Sequence, residues 1–195
     1  GKKLTFMGAE LGQWNEWHFE YSLDWHLLQY APHRQTQDFF KAMNAFYLEN
    51  SPLWDQDDSW QGFQWLCADD NNANTVAFLR WDRKGQPLLV LCNFSPEHRN
   101  GYRVGAPFAG SWAVAFNTDD AAYGGVGRGD KAPIKTEKIP CHDQPQSFTV
   151  DLPPMSTVIY RCVRKNPARK PKVEKASEAA REEKKPAARK GAKAE

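Results

Sequence analysis

Apolar positions along the chain change their period twice, and the three regimes predict three kinds of element. Residues 3–7 form a short apolar run ended abruptly by Gly8, too brief for a helix, and are read as a buried strand. Between residues 32 and 50 the spacing is helical. Phe39, Phe40, Met43, Phe46 and Tyr47 fall on one face, with Gln37, Asp38, Lys41 and Glu49 largely off it. Ser51-Pro52 ends the helix, because proline excludes helical backbone at the residue before it. Such an aromatic stripe faces a core more often than a ligand, and it is expected to pack on the strand at residues 3–7. After Trp54 the period becomes that of strands: residues 63–68, 75–81, 88–94, 111–117, 147–152 and 157–163 are short and rich in Val, Ile, Phe and Trp. Asp-Asn runs and Gly-containing turns separate them. Six strands with no helix between them predict a mostly β chain built on an antiparallel β-sandwich.

Composition changes this picture only at the C-terminal end. Residues 165–195 are almost entirely Lys, Arg, Glu, Ala and Pro, with Val173 the one large aliphatic residue. They cannot bury enough apolar surface to offset chain entropy and are predicted to be disordered, with a transient helix over residues 175–185. Twelve basic and five acidic residues follow Val163, whereas the preceding part holds 14 basic and 19 acidic ones. The formal charge of +2 therefore hides an acidic domain joined to a basic tail, and it is no sign of a basic binding face. The tail lacks aromatics for base stacking and intersperses glutamates, which argues against nucleic-acid recognition and leaves only weak contact with polyanions.

Candidate chemistry concentrates between residues 8 and 25. Trp14, Trp17 and Trp25 are interleaved with Glu10, Gln13, Glu16 and Asp24. Aromatic faces stack on the apolar faces of sugar rings, while carboxylates and amides hydrogen-bond the hydroxyls. Packing at a domain junction is the alternative for the tryptophans, but unpaired buried carboxylates are costly, so sugar contact is favoured for the group as a whole. Glu10 and Glu16 invite a reading as a glycosidic acid and nucleophile, yet spacing along a loop does not fix the separation such a pair needs. The glycine-rich stretch from Tyr123 to Gly129 lacks the Gly-Lys-Ser/Thr ending of a phosphate cradle and reads as a flexible surface loop. Arg128-Gly129-Asp130 within it is a tripeptide that arises easily by chance. His18, His26, His33, His98 and His142 show no metal-ligand spacing, although His18 and His26 could donate to sugar hydroxyls. Cys67, Cys92, Cys141 and Cys162 lie far apart without CxxC pairs and are expected to be free thiols of a reducing compartment. No apolar run is long enough to span a bilayer.

Several blocks in a fixed order resemble one family. They are Leu4-Thr5-Phe6-Met7-Gly8-Ala9-Glu10-Leu11-Gly12-Gln13-Trp14-Asn15-Glu16-Trp17, Ser22-Leu23-Asp24-Trp25-His26-Leu27-Leu28, the helix from Phe39 to Tyr47, Gly62-Phe63-Gln64-Trp65, Val90-Leu91-Cys92-Asn93-Phe94-Ser95-Pro96, Asn117-Thr118-Asp119, Tyr123-Gly124-Gly125 and Leu152-Pro153-Pro154-Met155. Together they look like the end of a 1,4-alpha-glucan (glycogen) branching enzyme of the alpha-amylase superfamily. The resemblance implies three regions: the terminal strand, loop and helix of a (β/α)8 catalytic barrel over residues 1–53, an all-beta C-terminal sandwich over 54–163, and the tail over 164–195, which is no part of the family pattern. It also implies an alpha-glucan substrate, the missing N-terminal barrel as partner, a cytoplasmic location, and no cofactor or metal. The family's three catalytic carboxylates sit on earlier barrel strands, so none is carried onto this chain, which reads as a fragment that is inactive alone. Substrate contact is assigned to Glu10, Gln13, Trp14, Glu16, Trp17, Asp24 and Trp25. Two rivals stay open at this point: another hydrolase or trehalose-forming member of the superfamily, and a stand-alone carbohydrate-binding sandwich.

The tail yields a prediction from charge and composition alone. A chain ending at Arg164 is expected to melt as the full chain does, while the full chain retains nucleic acid loosely at low salt and releases it at moderate salt. Thermal melts and retention at two salt concentrations check both halves.

Overall fold

The computed structural model describes residues 3–163, and the predicted tail lies outside the described residues. One helix, α1 (Ala31–Glu49), precedes eight strands. These are β1 (Phe63–Asp70), β2 (Thr75–Trp81), β3 (Pro87–Asn93), β4 (Arg99–Ala106), β5 (Ser111–Asn117), β6 (Ile134–Lys135), β7 (Gln146–Leu152) and β8 (Ser156–Cys162). Six of them form one sheet in the order β1-β2-β3-β8-β5-β6, and β4 pairs with β7 in a second. Every pairing is antiparallel, as the strand-and-turn pattern requires.

The core lies between the two sheets. Phe148 of β7 stacks on Trp112 of β5 and meets Tyr160 of β8 edge-on, both at 5.7 Å between ring centres, and all three side chains are fully buried. Alternation along β2 sends Thr75, Ala77 and Leu79 into this core and leaves Val76, Phe78 and Arg80 on the other face. Strand β3 departs from alternation, because Leu88, Leu89, Val90 and Leu91 are all buried. Its outer face is covered by the segment between α1 and β1, where the short helical turn Ser51–Leu53 packs on β2 and β3. Polar bonds seat that segment. Ser51 donates to Asp82 at 2.7 Å, Arg161 donates to Asn50 at 2.6 Å, and Arg80 donates to the Gly62 and Leu53 carbonyls and to Asp57.

The six strands read from the sequence are present within two residues at each end. Two others escaped the pattern. In β4 the residues Arg99, Asn100, Gly101 and Arg103 mask the apolar period, and only Val104 and Ala106 reach the core. Strand β6 is two residues long, too short to carry a period.

The buried strand expected at residues 3–7 is not formed. The stretch has no regular structure, and Leu4, Phe6 and Met7 are 91, 61 and 56% exposed. A strand exists only as part of a ladder, and no described strand lies beside it to supply one. The aromatic face of α1 consequently packs elsewhere: Phe39 meets Phe116 and Tyr123, and Phe46 lies 5.1 Å from Phe116, so the helix rests on β5 and the loop after it. The glycine-rich loop is on the surface but is pinned rather than loose. The Asp119 carboxylate accepts the Val126 and Arg128 amides, and Asn117 donates to the Arg128 carbonyl. Asp130 accepts from the Tyr160 hydroxyl at 2.7 Å, and burial raises its carboxyl above the ordinary range, so the Arg-Gly-Asp tripeptide is a structural element.

Asp57 ties the N-terminal stretch to the sheet. Lys3 donates to both of its oxygens and Arg80 to one. Burial alone would raise its carboxyl, but the hydrogen bonds and charges of Lys3 and Arg80 outweigh that and hold it below the ordinary 3.8. A depressed acid stabilises the fold above its unfolded-state value and loses that contribution as pH falls through the folded one. Asp57→Asn is therefore expected to cost about 1–2 kcal/mol near neutral pH, mostly through the shielded Arg80 partner, with the gap to wild type closing under acid. Urea melts at pH 7 and pH 3 check it.

Candidate functional site

Two glycines shape the loop that leaves the N-terminal stretch. Gly8 and Gly12 have φ of 83° and 58°, left-handed values that reverse the chain on either side of a single helical turn, Ala9–Leu11. A side chain at position 8 would also run into Gln13. The turn drives Leu11 into full burial and aims its carbonyl at α1, where His33 Nδ1 lies 2.8 Å from the oxygen. A second short turn, Trp25–Gln29, buries Leu27 and leads into α1, which opens with Pro32 in its first turn. Asn15 donates to Asp24 at 3.0 Å and closes the loop between the two turns.

These elements enclose a cleft of about 600 Å³, walled by Trp14, Asn15, Asp24, His26, Tyr30 and His33 over Gly12, Leu27, Pro32 and Thr36. Trp14 is 82% exposed and meets His33 edge-on, with ring centres 5.3 Å apart. Of the seven residues expected to contact substrate, Trp14 and Asp24 wall this cleft. Glu10 sits on the first turn, and Glu16 is exposed away from the cleft. Gln13 is turned back on the loop, donating to the Asn15 carbonyl at 3.0 Å, with its own oxygen buried and unpaired among the described residues. Trp17 packs edge-on against Phe6 at 5.7 Å, and Trp25 is half exposed outside the lining. Of the two histidines proposed as sugar donors, His26 lines the cleft. His18 instead lies against Phe19 and Tyr21, with ring centres 5.3 and 5.2 Å away. Sequence reading gave no site role to Asn15, Tyr30 or His33. His33 carried no signal, since it joins the loop only because α1 folds back against the first turn.

Chemically, the cleft offers the exposed rings of Trp14 and Tyr30, the Asp24 carboxylate as an acceptor, and the imidazoles of His26 and His33. Groups of these kinds are the ones that stack on and hydrogen-bond a polyhydroxylated ring. Glu10 and Glu16 do not meet in it as an acid and nucleophile pair. No group of three or more His, Cys, Asp or Glu among the described residues could hold a metal ion. The four cysteines are free, as their spacing suggests, and burial pushes the Cys92 and Cys141 thiols up. No helix among the described residues is long and apolar enough to cross a membrane.

An antiparallel sandwich of two unequal sheets, preceded by a loop and one long helix, defines the class as an all-β accessory domain with an extension at its front. The family described as "Alpha amylase, C-terminal all-beta domain" matches residues 65–163, and the chain belongs to it. The chain is 47% identical over 161 residues to a 1,4-alpha-glucan branching enzyme GlgB of Pseudomonas fluorescens Pf-5, covering 83% of this chain and 22% of that protein. It is 45% identical to the GlgB of Aquifex aeolicus, over 82% of this chain and 25% of the relative, and 41% identical to that of Rhodospirillum rubrum, over 83% and 22%. The chain thus spans about a quarter or less of the length of the curated relatives it matches. A match of 161 residues is longer than the sandwich and everything after it, so the similarity extends upstream of the sandwich into α1.

Exposure separates binding from packing in this loop. Trp14→Ala is expected to change stability by less than about 0.5 kcal/mol, whereas Leu11→Ala, which empties a fully buried site, is expected to cost about 2–5 kcal/mol. Chemical denaturation of the two variants checks the contrast.

Proposed function

We propose that this chain is the C-terminal part of a 1,4-alpha-glucan branching enzyme, which moves a segment of alpha-1,4-glucan to a glucose 6-hydroxyl and so makes alpha-1,6 branches in glycogen biosynthesis. The observation that carries this reading is the similarity to GlgB proteins over 161 residues, more than the sandwich provides. A generic superfamily C-terminal domain would account for the sandwich only.

In this reading residues 1–53 complete the end of a catalytic barrel. The uncovered Leu4, Phe6, Met7 and Leu48 support it, because apolar side chains of this size are seldom left in water as a group. The chemistry runs in two displacements on residues supplied upstream. A carboxylate attacks the anomeric carbon to give a glucosyl-enzyme ester while an acid protonates the departing oxygen, and the acceptor's 6-hydroxyl then releases the ester in place of water. This chain's contribution is binding. Trp14 presents its face to a glucose ring, Asp24 accepts a hydrogen bond from a sugar hydroxyl, and Asn15 holds the Asp24 carboxylate in place at 3.0 Å. The sandwich carries this loop through α1 and Asp57.

Two measurements test the proposal. The chain alone is expected to leave amylose unchanged in iodine staining and reducing-end release; robust turnover abolished by Glu10→Gln would overturn it. Within a full-length enzyme carrying this segment, Trp14→Ala is expected to lower transfer by about 1–3 kcal/mol of transition-state binding with an unchanged melting temperature, measured as kcat/KM for branch formation. Parallel loss of stability and activity would make Trp14 a packing residue.

A further inference from the structure

His33 is the most enclosed polar residue at the cleft, with 7% of its surface exposed, and only one of its two ring nitrogens is accounted for. Nδ1 lies 2.8 Å from the Leu11 carbonyl oxygen. A carbonyl can only accept, so Nδ1 carries the proton, and a neutral imidazole then presents a bare lone pair at Nε2. Nε2 has no hydrogen-bond partner among the described residues, yet it is not sealed from solvent, and the ring forms part of the cleft wall beside Trp14. Tyr30 lies against the same ring, with centres 6.4 Å apart, so the imidazole is held on two sides and fastened at a third. A nitrogen so immobilised loses little freedom on meeting a ligand.

We propose that His33 is a substrate-binding residue of this cleft, in which Nε2 accepts a hydrogen bond from a hydroxyl of the glucose ring stacked on Trp14. The inference rests on the cleft being a glucan site and goes further by naming a contact that the loop's own residues do not supply. With Asp24 it gives the cleft two acceptors that take hydrogen bonds from ligand hydroxyls, so its occupant must present free hydroxyls, as an unsubstituted glucosyl unit does.

Two amide replacements divide the roles of the ring. In His33→Asn the amide nitrogen falls near the position of Nδ1 and keeps the bond to Leu11, with nothing at Nε2. In His33→Gln the amide reaches the Nε2 position and gives up the bond to Leu11. Binding of maltoheptaose to the 195-residue chain is measured by calorimetry, alongside thermal melts of each variant. His33→Asn is expected to weaken binding on the order of 3- to 10-fold with little change in melting temperature, and His33→Gln to bind nearer wild type while melting lower. Wild-type affinity in His33→Asn would overturn the proposal and leave His33 as a loop fastener alone. Should His33→Asn fail to fold, His33→Gln decides: weakened binding in a folded His33→Gln chain overturns the assignment of Nε2. Absence of maltoheptaose binding by the wild-type chain would sink the glucan reading of the cleft itself, a failure distinct from equal binding by wild type and variant.

Discussion

Everything at the front of this molecule depends on one packing constraint, the wedging of Phe148 between Trp112 and Tyr160. Those rings join a two-stranded sheet to a six-stranded one, at the centre of a core that also packs Val104, Ala106, Val150 and Leu152 of the small sheet against the large one. Once β7 is fixed against β5 and β8, the outer face of the large sheet is free to receive α1 and the segment that follows it. The hydrophobic driving force is therefore spent twice on the same strands, once inward on the core and once outward on Phe116, Leu88 and Val90.

The outward contact links the sandwich to the cleft. Phe39 and Phe46 seat α1 on Phe116 and Tyr123, and one and two helical turns before Phe39 the chain presents Thr36 and His33 to the loop at Gly12 and Leu11. From the other side, Asp57 holds Lys3 just ahead of that loop. The cleft is thus carried at both ends by an all-β domain that supplies none of its lining residues, with rigid elements supporting an aromatic and acidic loop.

The comparison between pattern and structure is most instructive where they part. Strand β2 was legible to the residue, since a half-buried strand writes its period of two directly into the sequence, whereas in β5 an irregularity between Val114 and Phe116 turns Phe116 outward to α1. Strand β4 was not, because its first half is solvated and its second packs as Val104, Gly105 and Ala106, small residues that resemble a turn. Residues 3–7 looked like a strand because apolar residues at that density normally are one, but the hydrogen bonds that make a strand belong to its neighbours. The seven loop residues shared one chemical character and were read as one group. Their side chains nevertheless diverge, Trp14 to the cleft, Trp17 to Phe6 and Gln13 back onto the loop.

What the sequence by itself determined was the class of each segment: an aromatic, acidic loop, an amphipathic helix, a run of antiparallel strands and a basic terminus. Local period, turn chemistry and composition are enough for that, since each depends on neighbours along the chain. Only the tertiary structure decided which loop residues share a cleft, which sheet face receives α1, and that His33 lines the cleft. Those outcomes rest on contacts between residues far apart in sequence, such as Leu11 with His33, Asn50 with Arg161 and Lys3 with Asp57. No periodicity encodes such pairs, because they form only when separately specified elements compete for the same apolar surface.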